Sequence, residues 1–146
     1  MTNRSKRNVF SVLIIIALAA AVYAYFLWNK PHKDIQNATA IKTTAVTLYN
    51  TFRTDSAKAK TTFLNQVVEV SGIVKSVSLN QGKKQIILLK TSMADASINC
   101  TLEQSKLIVQ AGDNIFLKGV CIGYMGGDEE MGLPGDVYLI RCYKTI

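Results

Sequence analysis

Hydrophobic and polar positions fall into three regimes along this chain. From Val9 to Trp28, VFSVLIIIALAAAVYAYFLW, apolar residues run without a charge, Gly or Pro, and Ser11 is the one clearly polar side chain. As a helix, twenty such residues would span about 30 Å, the thickness of a bilayer's hydrocarbon core. The polar stretch Asn29 to Thr39, NKPHKDIQNAT, holds one of the two prolines and reads as a tether. Ile41, Ala45, Leu48, Tyr49 and Phe52 then recur at helical spacing and predict an amphipathic helix. Thr54-Asp55-Ser56 interrupts that pattern, and Asp55 is placed to cap a second short helix carrying Ala57, Ala59 and Phe63.

From Val67 the period becomes two and β-branched residues dominate. The pattern predicts strands over 67–79, 85–90, 97–102, 114–124 and 136–146, with a hairpin turn at Asn80-Gln81-Gly82-Lys83. Gln104 to Val109 reads as a helical turn, and Met125 to Gly135 as a loop with four glycines and Pro134. Gly72 sits inside the first long strand and Gly119 and Gly123 inside the fourth, where glycines mark bulges or sharp bends. Five glycine-bent strands in this order, with a helical turn after the third, predict a mainly β fold. The expected architecture is a five-stranded OB-fold barrel preceded by one or two short helices and an N-terminal transmembrane helix. In domains, 1–8 is a cytoplasmic tail, 9–28 the anchor, 29–39 the tether, 40–65 a helical segment packed on the barrel, and 66–146 the barrel.

Charge changes how the apolar run is read. Arg4, Lys6 and Arg7 precede it and Lys30 and Lys33 follow it, a three-to-two excess that orients the N-terminus toward the cytoplasm. Tyr23, Tyr25, Phe26 and Trp28 at the far end suit an interfacial aromatic belt. The expectation is a single-pass anchor in the cytoplasmic membrane with the barrel outside the cytoplasm. The alternative is export after cleavage near Val22-Tyr23-Ala24, although the run is longer than a usual signal-peptide core and continues past that site. The chain's formal charge of +7 is concentrated in and beside the anchor. From Gln66 onward seven Lys and one Arg meet eight acidic residues, so the barrel is neutral.

Several segments together resemble a family. WNKPHKDI at 28–35, AVTLYNTFRTDSAKA at 45–59, VVEVSGIV at 67–74, KGVCIGY at 118–124 and DVYLIRC at 136–142 are similar to the bacterial tRNA anticodon-binding-like group of small OB-fold proteins, many of them membrane-anchored or exported. The resemblance implies the barrel and, by analogy of fold, nucleic-acid binding; fold alone does not establish function.

The residue chemistry points to binding without catalysis. The single histidine, His32, lies on the tether, so the barrel offers no imidazole to activate a nucleophile. Three cysteines on separate strands without a CxxC pair make a poor zinc site, and no Gly-rich phosphate loop opens a helix. No catalytic, cofactor or metal residues are therefore assigned. Stacking platforms for single strands need a cationic groove with exposed aromatics. The second and third strands, QIILLK and SINCTL, carry no aromatic, which disfavours nucleic acid. The remaining candidate binding surface comprises the basic residues Lys83, Lys84 and Lys90, the acidic loop residues Asp128, Glu129 and Glu130, and Tyr124 and Tyr138. A hairpin across Met125 to Gly135 would set Cys121 and Cys142 opposite or nearly so, close enough for a disulfide after a small adjustment, with Cys100 buried in the third strand.

Three readings follow. The first is a tethered extracytoplasmic module binding a protein, peptide or envelope ligand; the second is a single-stranded nucleic-acid binder; the third is a structural subunit of an envelope complex. Ligand and oligomeric state are not written in the sequence.

Overall fold

The structure is a computed structural model that describes residues 3–28, 34–103, 106–128 and 130–145, with side chains of the first helix described from Val12 on. It forms two compact units, 1–34 and 35–146. The first is one helix, α1 (Asn3–Trp28), whose side chains from Val12 to Trp28 are uncovered. Among the described residues no helix is long and apolar enough to cross a membrane.

The second unit runs β1 (Ile41–Thr44), α2 (Ala45–Thr54), α3 (Ser56–Phe63), β2 (Val67–Leu79), β3 (Gln85–Lys90), β4 (Ser97–Leu102), β5 (Asn114–Met125) and β6 (Asp136–Thr145). Thr44 Oγ1 accepts the Thr47 N–H at 3.1 Å and starts α2. Asp55 both ends α2, donating its N–H to Thr51 O, and starts α3 by accepting the Lys58 N–H at 2.9 Å. The helix therefore begins at Ala45, not near Ile41. Ile41 to Thr44 instead form a short strand parallel to Val68–Ser71 of β2, because the edge of that strand is open there. The expected helical turn over 104–109 is also corrected: Lys106 to Gln110 follow no helical course, and residues 104 and 105 lie outside the described residues.

β2 organises the barrel. Its first half, Val67–Ile73, pairs antiparallel with β5, and its second half, Val74–Leu79, with β3. The order β2-β3-β4-β6-β5 closes on itself through β2–β5, with β4 and β6 parallel, so the five predicted strands make a closed OB-type barrel. Leu48, Tyr49 and Phe52 on one face of α2 enter the barrel core among Val68, Val70, Ile87, Leu89, Ile98, Leu117 and Leu139, all buried. Phe63 of α3 packs against Phe52 with ring centroids 6.3 Å apart. The end of the tether joins this unit: Ile35 is buried, and Gln36 O accepts from Lys118 Nζ at 2.8 Å.

Gly72 is not at a bulge; the register shift in β2 lies between Val74 and Ser76. It is needed for close approach instead. A Cβ on Gly72 would stand 2.9 Å from Ala45 Cβ and 3.4 Å from Leu89, so the bare backbone lets the first turn of α2 settle on the bend of β2.

The β5–β6 hairpin carries two bulges, between Lys118 and Val120 and between Cys121 and Gly123. The first adds a residue on β6 near Arg141, whose φ is +53°, and the second adds one on β5. Between them Cys121 faces Leu139, and the flanking register would have set it opposite Ile140, so Cys121 and Cys142 do not lie opposite each other as expected; all three cysteines are free and buried. Cys142 sits beside Leu102 of the parallel strand β4, and its thiol meets that of Cys100. That contact and burial hold the Cys142 thiol well above its ordinary pKa, while burial pushes Cys121 up to about 11.

Two outcomes are expected. Gly72→Val should cost roughly 1–3 kcal/mol of stability through overpacking against Ala45, read from urea unfolding followed by circular dichroism; an unchanged midpoint would remove the close-approach argument. The thiols give a pH dependence of definite sign. An unfolded cysteine ionises near pH ~8.5, whereas native Cys121 stays protonated to about 11, so between those values the unfolded state binds fewer protons. Its contribution is full below about pH 8.5 and lost as pH rises through 11, at most about 3 kcal/mol. Cys121→Ala should flatten the fall in unfolding midpoint across this window.

Candidate functional site

The β3–β4 loop (91–96), the β5–β6 loop (126–135) and the last turn of α2 meet at one mouth of the barrel. Between them lies a cleft of about 360 Å³ lined by Arg53, Met93, Tyr124, Gly132, Leu133 and Pro134. Its volume falls within the roughly 300–1,000 Å³ usual for small-ligand clefts.

Short polar links build the walls. Ser92 Oγ lies 2.6 Å from Asn50 Oδ1, Lys75 Nζ donates to Ala94 O at 2.7 Å, and Thr91 Oγ1 accepts the Met93 N–H at 3.2 Å. These hold the β3–β4 loop against α2 and the bend of β2. Met93 Sδ then receives the Arg53 guanidinium, Nη1 at 2.9 Å, and the Tyr49 hydroxyl at 3.5 Å. Tyr49 and Tyr124 pack with ring centroids 6.1 Å apart. Burial first, and Tyr124 second, raise the Tyr49 phenol above its ordinary pKa, so it stays a neutral hydroxyl.

The opposite wall is the glycine loop. Tyr124 Oη accepts the Gly135 N–H at 2.8 Å, and Asp128 and Leu133 exchange backbone bonds at 2.8 and 2.9 Å. A Cβ on Gly127 would lie 2.5 Å from Gly135 N, so the two sides of the loop touch backbone to backbone at its base. Its tip presents Leu133, 57% exposed, and Met131, 72% exposed. Asp136 at the start of β6 accepts the Ser97 N–H at 2.7 Å and ties β4 to the same rim.

The candidate surface read from the sequence separates in space. Tyr124 is in the cleft. Asp128 turns inward on its own loop, accepting the N–H groups of Glu130 and Met131 at 3.0 and 3.1 Å, while Glu130 is exposed and Glu129 lies outside the described residues. Tyr138 is half-buried on β6, beside Asn99 and Gly123. Lys83 and Lys84 are at the other end of β3; Lys84 Nζ pairs with Glu103 at 3.1 Å, and Lys83 sits in the turn with φ +58°. Lys90 borders a separate hollow of about 410 Å³ with Val46, Gly72, Ile73 and Phe116. Among the described residues no group of His, Cys, Asp or Glu is placed to hold a metal ion. Sequence reasoning missed Arg53, Met93, Leu133 and Pro134. Each is ordinary in its own segment, and the three segments that carry them meet only when the barrel closes.

Tyr124→Phe removes the acceptor for Gly135 N–H while keeping the ring. Stability should fall by about 1 kcal/mol, and Gly135 amide exchange should accelerate while Val137 exchange stays slow. Equal protection at Gly135 in both proteins would show that the hydroxyl does not hold the loop.

No curated protein matches the sequence. Among solved structures, the chain resembles one described as an aspartyl-tRNA synthetase from Leishmania major Friedlin, with a TM-score of 0.43 and 5% identity. That likeness covers 85% of this chain but 25% of the other, so the chain spans about a quarter of that protein's length. A family model, tRNA_anti-like, matches residues 1–131. With that match over most of its length, the chain belongs to the tRNA_anti-like family.

Proposed function

We propose that this protein is a membrane-tethered binding module working outside the cytoplasm, whose barrel seats a protein or peptide ligand of the cell envelope without catalysis. The observation that carries the reading is the cleft. It sets one arginine beside Met93, Tyr124 and the glycine-rich loop on a charge-neutral barrel, and its polar groups hold backbone in place rather than forming a nucleophile–base pair. The tether rests on the uncharged run Val9–Trp28, and its orientation on the basic residues before it. A structural subunit of an envelope complex would use the same surface for a permanent partner.

The family name favours a second reading, single-stranded nucleic-acid binding. Its electrostatic and stacking requirements find weak support here. β3 and β4 carry no aromatic side chain, and of the barrel aromatics Phe116, 44% exposed, is the most open.

Two measurements test the reading. Alkaline extraction of cells making the full chain should leave it in the membrane fraction, with the barrel digested by protease added after the outer envelope is permeabilised; release by alkali or full protection would overturn tether or location. Titration of the full chain in detergent micelles with labelled single-stranded oligonucleotides at low salt should be flat. A saturable curve weakening steeply with salt would replace the reading with the nucleic-acid one.

A further inference from the structure

Resting on the membrane tether proposed above, we infer that the outer face of β1, β2 and β5 docks on an anionic phospholipid bilayer. Val46, Ile73 and Phe116 enter the interface, and Lys90 meets lipid phosphate. Side chains alternate across a strand. Val68 and Val70 of β2 and Ile115 and Leu117 of β5 therefore point into the core, while Ser71, Ile73, Phe116 and Lys118 point outward. The register places Glu69 between Lys42 and Lys118, and Ser71 between Thr44 and Phe116. Two neighbouring outward rows result.

The two rows differ in cover. Lys118 is buried, its Nζ donating to Gln36 O at 2.8 Å; Ile35 next to Gln36 is buried too, although it is not one of the barrel's core side chains. The adjoining row is bare. Phe116, Ile73 and Val46 are each 44–46% exposed, and they share the mainly apolar hollow of about 410 Å³ that Lys90 borders. Large apolar side chains grouped on the outside of a barrel mark a surface that something else covers.

Connectivity names the occupant. The segment seated on the covered row is the end of the tether, and Ile35 follows Trp28, the last residue of the uncharged run, by seven residues. Seven residues reach at most about 25 Å. Phe116 is the next outward position from Lys118, about 7 Å along β5. A bilayer that holds the uncharged run is thus within reach of the bare row. Charge agrees with an anionic surface: from Asn29 to Asn65 six Lys and Arg meet two Asp. Among the described residues Lys90 is the one cation of the lining, and no acid joins it. The flanking acids are engaged, Glu69 with Lys42 at 3.7 Å and Asp113 with the Gln110 N–H at 2.8 Å. A nucleic-acid strand would call for a series of cations instead.

The test uses the full chain reconstituted in vesicles of phosphatidylcholine and phosphatidylglycerol and washed with alkaline carbonate. In a Trp28→Phe background, Phe116→Trp sets the chain's one indole on the proposed face, and Met131→Trp sets it on the loop beyond the far end of β5. Circular dichroism matching the original chain certifies each fold. Doxyl-labelled lipid should quench the indole in place of Phe116 roughly threefold more than the one in place of Met131, since docked apolar groups enter the headgroup boundary. Lys90→Gln should lower the docked-to-undocked ratio read from that quenching roughly fivefold, and Ile73→Asp should abolish it. Equal quenching at the two positions, in a chain that survives the wash, would overturn the docking face and leave the tether standing. Loss of the chain in the wash would overturn both. Blue-shifted emission without quenching would show protein rather than lipid over the face and overturn the inference. Quenching unchanged in pure phosphatidylcholine would overturn the anionic surface.

Discussion

A strand thirteen residues long cannot remain flat while its first half bonds to β5 and its second half to β3. That division of β2 between two partners is what closes the sheet, and closure removes the exposed edges an open five-stranded sheet would leave. Closure requires β2 to change partners just past Gly72, and the missing side chain there admits Ala45 at the first turn of α2. With its start seated on the bend, α2 lays Leu48, Tyr49 and Phe52 into the core and delivers its C-terminal turn to the rim. Arg53 reaches the β3–β4 loop because the other end of its helix is pinned to β2.

The rim shows how polar groups divide between architecture and recognition. Asn50, Lys75, Thr91, Asp128 and Asp136 spend hydrogen bonds on backbone groups or on other side chains of the same loops, so the two loops are braced without a disulfide or metal. A braced, concave, partly apolar surface suits binding because little ordering cost remains at association. Arg53 stands apart from this accounting, with its thioether partner as the one weak link.

Much of the fold was legible from local patterning. Alternation located β2 to β6 closely, since inward side chains of a barrel must alternate with outward ones, and Asp55 announced the break between α2 and α3 because a carboxylate can satisfy exposed N–H groups at a helix start. Other features were not legible. Ile41 fitted the helical spacing of Ala45 and Leu48, yet it joins β1 because an open stretch of β2 offers its residues hydrogen bonds that a helix would not improve. Cys121 and Cys142 would face each other only if the hairpin paired β6 two residues further on than its flanking register does; the turn sets the register so that Cys121, between two bulges, meets Leu139. Lys83, Lys84 and Lys90 made one basic cluster in sequence but occupy opposite ends of β3.

By itself, the sequence determined what depends on composition and near neighbours: the uncharged apolar run from Val9 to Trp28, the order and period of the elements, the break at Asp55, the neutrality of the barrel, and the lack of a histidine within it. These are sums over residues or patterns a few positions long. The tertiary structure decided the strand order around the barrel, the free state of three cysteines, and the meeting of Arg53 with Met93, Tyr124 and Leu133. Arg53, Met93 and the Tyr124–Leu133 hairpin lie tens of positions apart, and their encounter depends on where β2 changes partners and where β5 and β6 slip register. Bends and slips are settled by side-chain packing across the closed barrel, which no short window of sequence contains.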